Sequence, residues 1–285
     1  VTATAVGVPF ARVEIVPEAQ QAALRVLRSG WITMGPETAE FERELANYLG
    51  ARHVVAVSSA TAAIEIALRA LRLAPGAPVL TPSLTFCGAV AAIVQAGLRP
   101  VLVDVAARTL LPTRATVAEA VRRAGPPQAM VVQHMAGYPA DVAELADAAG
   151  LPASRVVEDA AHGLGAELRG TPVGSASYAA CFSFYATKNL PIGEGGAIAT
   201  SDDELAARAR TKRLHGMSQD AWRRYLPGGS WRYDVPEPGL KANITDVQAA
   251  IGRAQLACLP DWQARRECLA AQYDAALASI PGFLL

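Results

Sequence analysis

Between residues 53 and 159 short apolar runs alternate with helix-patterned stretches, and this alternation limits the possible folds more than any other feature. The runs are His53–Val57, Pro78–Thr81, Pro100–Val105, Ala129–Met135 and Val156–Glu158. Between them lie helical patterns from Ser59 to about Leu73, from about Phe86 to Ala96, from Val117 to Ala124 and from Val142 to Ala149. Strands joined by helical crossovers pair in parallel, and a parallel sheet has to be covered on both faces. The expectation is an α/β fold. Two further runs, Ala179–Phe184 and Ala197–Thr200, bring the mostly parallel sheet to seven strands. Pro17–Ser29 and Glu37–Leu49 read as helices ahead of the sheet, closed by Gly30 and Gly50. A helix from Glu204 to Leu214 follows the last strand, then a long aromatic, Pro- and Gly-containing loop from His215 to Gly239. Long helices then run from Thr245 to the end, with a break expected near Pro260.

Composition narrows the class. The 285 residues are 52% hydrophobic and 18% charged, which fits a well-buried core. The net charge is zero and no basic block occurs, so nothing points to nucleic acid or to an anionic membrane surface. Cys87, Cys181, Cys258 and Cys268 form no CxxC pair and read as buried free thiols, not as metal ligands. There is no apolar run of membrane-spanning length and no signal pattern, so a cytoplasmic protein without a bound metal is expected. The chain opens on Val1 and closes on Ile280-Pro281-Gly282-Phe283-Leu284-Leu285 straight after a helix, the ending expected of a chain that continues.

The residues suited to chemistry concentrate between Arg155 and Thr200. One strand delivers Glu158 and Asp159, the next leads into Tyr185-Ala186-Thr187-Lys188, and Gly193-Glu194-Gly195-Gly196 opens the last. Ligands of open α/β sheets bind beyond the strand ends. Only three of the 26 basic residues are lysines, Lys188, Lys212 and Lys241, so Lys188 stands out as an amine that a guanidinium cannot replace. Ser58-Ser59-Ala60-Thr61 lies between a strand and a helix, where backbone N–H groups and the Ser59 and Thr61 hydroxyls suit a phosphate; the same residues also suit an ordinary N-cap. Ser183 reads either as a second phosphate contact or as a serine satisfied inside the sheet. Phe86 opens a helix and reads as a stacking ring or as core, and His134 and His215 as site-lining or structural. Lysine, carboxylate and phosphate turn together describe a flat, phosphorylated aldehyde with a basic ring nitrogen, which is pyridoxal 5′-phosphate.

At this point the sequence resembles the DegT/StrS sugar aminotransferases. The likeness is carried by Val157-Glu158-Asp159-Ala160-Ala161-His162, by Ser183 to Asn189-Leu190 with Gly193-Glu194-Gly195-Gly196, by Pro82 to Phe86, and by Gly239-Leu240-Lys241-Ala242-Asn243-Ile244-Thr245-Asp246. It runs from about Gly35 to the last residue. The resemblance implies the large domain of the aspartate-aminotransferase fold over residues 1–250, with residues 251–285 beginning a small C-terminal domain that is largely absent. It implies a homodimer with shared active sites, moving an amino group from L-glutamate to a keto-sugar nucleotide. Carried over by motif, Lys188 holds the cofactor and shuttles the proton, Asp159 pairs with the ring nitrogen, and His162 sits beside the ring's phenolic oxygen. Ser183, with Ala60 and Thr61, binds the phosphate, Phe86 stacks on the ring, and Lys241 and Asn243 reach the neighbouring subunit's phosphate. Where many members read Asn-Tyr-Arg, this chain reads Lys241-Ala242-Asn243. Members that act as dehydratases carry histidine in place of the lysine. Other readings are a cyclitol aminotransferase on the same fold, a catalytically silent partner, and a nucleotide-binding α/β protein, for which no GxGxxG or GxxxxGK[ST] stands in the right place.

Overall fold

The computed structural model describes residues 7, 9, 11–175, 177–217, 228 and 233–282. In chain order its strands are β1 (His53–Val57), β2 (Pro78–Pro82), β3 (Arg99–Val103), β4 (Ala129–Gln133), β5 (Val156–Asp159), β6 (Glu167–Leu168), β7 (Thr171–Pro172), β8 (Ala179–Ser183) and β9 (Gly196–Thr200). The helices are α1 (Pro17–Ser29), α2 (Pro36–Leu49), α3 (Ala60–Ala70), α4 (Cys87–Gln95), α5 (Arg114–Ala124), α6 (Val142–Ala148), α7 (Asp203–Lys212) and α8 (Asp246–Leu277). Seven strands form one sheet in the order β1-β9-β8-β5-β4-β2-β3, and β6 and β7 form a separate small hairpin that the sequence patterns do not announce.

Pairing is parallel for β2 with β3, β2 with β4, β4 with β5 and β5 with β8; it is antiparallel for β9 with both β8 and β1. Since β9 alone is reversed, the C-terminal ends of the other six strands and the beginning of β9 share one edge of the sheet.

Side chains of a strand alternate between faces. One face carries Val57, Val79, Val131, Val157, Cys181 and Ile198, and packs under α3, α4 and α7 through residues such as Ile66, Ile93 and Leu205. The opposite face is covered in two parts. Phe182, Phe184 and Ala199 meet Phe41 and Leu45 of α2 and Leu256 and Leu259 of α8, while Leu80, Val132 and Val156 meet Val117 of α5 and Leu145 of α6.

Helix ends follow local chemistry. Pro17 and Pro36 occupy the first turns of α1 and α2, and Gly30 and Gly50 close them at φ 77° and 64°. Thr245 and Gln248 form a reciprocal capping box at the start of α8. The break expected near Pro260 does not occur: α8 continues through it to Leu277. An interior proline costs about 3 kcal/mol, and here Leu256 and Leu259 anchor the preceding turns against α2. The thiols also differ from expectation, since only Cys181 is buried, Cys258 is half-buried, and Cys87 and Cys268 are exposed. Of the long loop from His215 to Gly239, residues 218–227 and 229–232 lie outside the described residues.

Candidate active site

The strand edge is where the unusual side chains gather. Asp159 ends β5 on the face shared with Val157 and Cys181, and Glu158, one residue earlier, points to the opposite face. There His134 Nε2 donates to Glu158 Oε2 at 2.9 Å, and His134 Nδ1 accepts from the Ala140 N–H at 3.0 Å. Both ring nitrogens are committed, so His134 is a buried structural histidine. Asp159 is 4% exposed, and its Oδ1 accepts from the Ala161 N–H at 3.1 Å. Burial pushes its carboxyl above the ordinary range, against the Ala161 N–H, His134 and Lys188.

After Asp159 the chain turns, with Ala160 N–H donating to Cys181 O and Gly163 N–H to Ala160 O. The turn leaves His162 exposed. Lys188 comes from the loop after β8. That loop is pinned by Phe184 N–H to Gly195 O, Ile192 N–H to Phe184 O and Lys188 N–H to Tyr185 O, and by the buried side chains of Phe184, Leu190 and Ile192. The result is a direct contact, Lys188 Nζ to His162 Nε2 at 2.6 Å. Burial lowers the Lys188 amine, against the pull of Asp159. Burial and then the Lys188 charge lower His162. The imidazole therefore meets the amine as a neutral acceptor.

On the same sheet face lie Ser183 and the start of α3. Ser183 is 8% exposed and stands opposite Gly196 in the β8–β9 ladder. Val57 faces the same glycine from β1. A Cβ on Gly196 would lie 2.4 Å from the Ser59 carbonyl carbon and 2.7 Å from Ala60 N, so glycine brings this turn against the sheet. Ser59 is the N-cap of α3, its Oγ accepting from the Ala62 N–H at 3.1 Å. This leaves the first-turn N–H groups of Ala60 and Thr61 without an intrahelical carbonyl. A Cβ on Gly88 would come within 2.6 Å of Thr61 Oγ1 and 3.0 Å of the Phe86 ring. Phe86 itself is 69% exposed, poised over this edge as the residue before α4.

Lys241 and Asn243 arrive by a different route. Lys241 bridges Leu214, the Ala242 carbonyl accepts from the Ser58 N–H at 2.7 Å, and Lys241 Nζ donates to Asn243 Oδ1 at 2.5 Å. The segment thus runs beside the turn that begins α3. His215 is exposed, with its N–H donating to Leu240 O.

An open cavity of about 1040 Å³ spreads from Lys188 and His162 over Tyr138, Asn189, Gln263 and Arg266. A second, of about 400 Å³, shares Lys188 and Arg266 and adds Arg12 and Arg265. Tyr138, Gln263 and Arg266 escaped the sequence reading, because one polar residue in a loop or on an exposed helix carries no periodic signal. Gln133, the last residue of β4, escaped it too.

The donor set fits pyridoxal phosphate. A half-buried amine of lowered basicity, a buried carboxylate whose charge acts on it, and a helix start with free N–H groups suit an aldehyde, a ring nitrogen and a phosphate respectively. Such an edge belongs to an α/β enzyme that handles amines through an anionic, flat cofactor. Residues 13–285 match the DegT/DnrJ/EryC1/StrS aminotransferase family, and the chain belongs to that family of pyridoxal-phosphate-dependent sugar aminotransferases. It is 41% identical over 278 residues to the spore coat polysaccharide biosynthesis protein SpsC of Bacillus subtilis, covering 97% of this chain and 70% of that one. Among solved structures it is similar to the putative sugar aminotransferase Spr1654 of Streptococcus pneumoniae in its PMP form (TM-score 0.86, 32% identity, 96% of this chain and 73% of that one). It is likewise similar to DesV of S. venezuelae in complex with a ketimine intermediate (TM-score 0.83, 36% identity, 95% and 72%). No helix among the described residues is long and apolar enough to cross a membrane.

Proposed function

We propose that this sugar aminotransferase moves an amino group from L-glutamate to a keto-sugar nucleotide, as a cytoplasmic homodimer. The observation that carries the reading is the Lys188–His162 contact at the mouth of the large cavity, with Asp159 buried on the adjoining strand end. When bound, pyridoxal phosphate supplies an aldehyde for amines to condense with and a ring that accepts the electron pair left by a departing proton. The chain's residues do the rest. Lys188 Nζ, its basicity lowered by burial, would take the proton from the donor's α-carbon and hand it on to the cofactor within the same half-reaction, then carry a proton in the opposite direction to the acceptor's carbon in the second. His162 accepts a hydrogen bond from that amine and fixes where it points. Asp159 supplies a buried anion for a ring N–H, a pairing that offsets its own burial. Ser59, Ala60 and Thr61 with Ser183 hold the phosphate, Phe86 covers the ring, and the cavity beyond Lys188 receives the acceptor. Lys241 and Asn243 serve the phosphate of the partner subunit. We assign cofactor binding to residues 1–250 and the start of a smaller domain to residues 251–285, although α8 crosses that boundary unbroken.

The test is a pair of half-reactions. With glutamate alone the loaded enzyme should release 2-oxoglutarate, and a keto-sugar nucleotide should then restore the starting spectrum. Turnover with glutamine and inosose instead would move the chain to cyclitol amination. Sharing of sites is tested by refolding equal amounts of the Lys188→Ala chain and the Lys241→Ala/Asn243→Ala chain together. Half of the dimers are then mixed, each with one intact site, so activity should return to about a quarter of wild type. No return from demonstrated mixed dimers would place the site within one chain.

A further inference from the structure

The edge holds one more polar group that nothing above employs. Gln133 ends β4, and the parallel register sets it directly beside Asp159 of β5. Neighbours in a parallel ladder share a face, and both continue the stripe of Val131 and Val157. Gln133 is 6% exposed, yet its Oε1 is buried with no hydrogen-bond partner among the described residues. A second orphan lies one strand further on. Thr81 of β2 is fully buried on this same face, two residues beyond Val79, and its Oγ1 also lacks a partner among the described residues. Buried polar groups without partners are few in native proteins and ask for an explanation. Strand order puts these two and Asp159 on consecutive strands, β2, β4 and β5.

We propose that Gln133 is a positioning residue for Asp159: from its place beside the carboxylate, to which it makes no hydrogen bond among the described residues, its side chain turns the amide N–H onto Asp159 and keeps it ionised, while the Thr81 hydroxyl, level with Val131 and so one side-chain repeat back, answers the amide oxygen through a buried water. The chemistry suits the place. A carboxamide has both a donor and an acceptor end, so it can serve an anion on one side and a hydroxyl on the other without adding a charge. The charged or titratable groups around Asp159 do not replace it. Lys188 and His134 act on it through space, the Cys181 thiol faces it from β8, and Glu158 is engaged with His134 on the other face. His162, past the turn, contacts Lys188. From the covering helices, α4 opens with the exposed Cys87, and Glu65 of α3 is bound to Arg69. The usefulness of an ionised Asp159 rests on the proposed aminotransferase reaction; the hydrogen bond itself does not.

The experiment is a carboxyl ¹³C NMR titration of cofactor-free protein labelled at aspartate, with Asp159→Asn identifying the resonance. In Gln133→Met, of similar size but with no amide, the Asp159 midpoint should rise, with proton affinity increasing about tenfold. The acid limb of kcat/KM should move to higher pH as well, with KM for the acceptor unchanged. Thr81→Val should shift both in the same direction by less, and the double variant no further than Gln133→Met. An unmoved Asp159 midpoint in folded Gln133→Met would overturn the proposal, as would a loss of activity equal at every pH. Should Gln133→Met fail to fold, an unmoved midpoint in Thr81→Val is the overturning result. A chain without aminotransferase activity still yields the NMR answer, so failure of the reaction and failure of this hydrogen bond remain separate.

Discussion

Two regions of the molecule gather charge, and they do so with opposite results. Where α1, α2 and α8 meet, Arg253 binds Glu44 at 2.8 Å and Glu37 at 2.6 Å, and Arg25 binds Glu37 at 2.6 Å. Burial alone would pull Glu37 up, but Arg25 and Arg253 outweigh it and hold the carboxyl below its ordinary range. The Arg253 guanidinium is held above its own, by Glu44 against burial and by Glu37. Nearby, Asp246 caps α2, accepting from the Gly35 N–H at 2.7 Å, the Thr38 N–H at 3.0 Å and the Thr38 hydroxyl at 2.7 Å. At the strand edge burial wins instead, raising Asp159 and lowering Lys188 and His162. Charges that find partners set a structure, and charges left short of partners stay available for chemistry.

The sharpest way to break this contrast is Lys188→Ala. It should reduce turnover by ~10³-fold or more and abolish the borohydride-fixed cofactor on the peptide containing residue 188. Label on Lys212 or Lys241 would remove Lys188 from its role. Next comes Asp159→Asn, expected to lose ~10²–10³-fold in rate. The same variant should melt higher than wild type at neutral pH when both are free of cofactor. The sign follows from linkage. With its folded pKa raised, Asp159 costs nothing below the unfolded value, and the cost grows as pH rises through the folded value. A calorimetric scan across mild acid to neutral pH checks it, and an Asp159→Asn protein no more stable than wild type would break the comparison. The α1–α2–α8 corner should respond to acid the other way, since Glu37 with its lowered pKa contributes above the unfolded value and fades as pH falls through the folded one.

In that corner Asp246→Ala removes a buried cap and should cost about 2–3 kcal/mol in denaturant unfolding, with the pH profile of turnover unaltered. Arg253→Met should have the smallest effect. Its ion pairs are partly exposed, at 30% for Arg253 and 29% for Glu44, so about 1 kcal/mol and a few degrees of Tm are expected.

Much of the fold is legible in the sequence. Strand–helix alternation is a direct print of burial on both faces, so the seven strands and their crossovers can be read from the Val- and Leu-rich runs. Lys188 stands out in the sequence as one of only three lysines, and Asp159 and the Ser59–Thr61 turn by their places at strand ends. Pro260 misled, because local propensity says nothing of what α2 offers the turns of α8 just before it. The β6–β7 hairpin was invisible, being only two residues a side. Gln133 was hidden for another reason. A polar residue closing an apolar run reads as the end of a strand, and its closeness to Asp159 depends on a register that only pairing sets.

The reversed strand β9 has a consequence for how the protein is made. In the sheet β1 is hydrogen-bonded to β9 alone, and the two are separated by about 140 residues of chain. At synthesis rates of about 5–20 residues per second, β1 leaves the ribosome on the order of ten seconds before its partner exists. During that interval Val54, Val55 and Val57 have no ladder to join, and the turn carrying Ser59 and Ala60 has no Gly196 to rest against. Closure of so distant a pair is slow for entropic reasons, and the waiting strand is an open edge for other chains. The turn at Ser59 and Ala60 thus gains its support only after β9 has emerged. A nascent chain arrested before residue 196 should engage chaperones and fail to capture the cofactor, however well its first helices have folded.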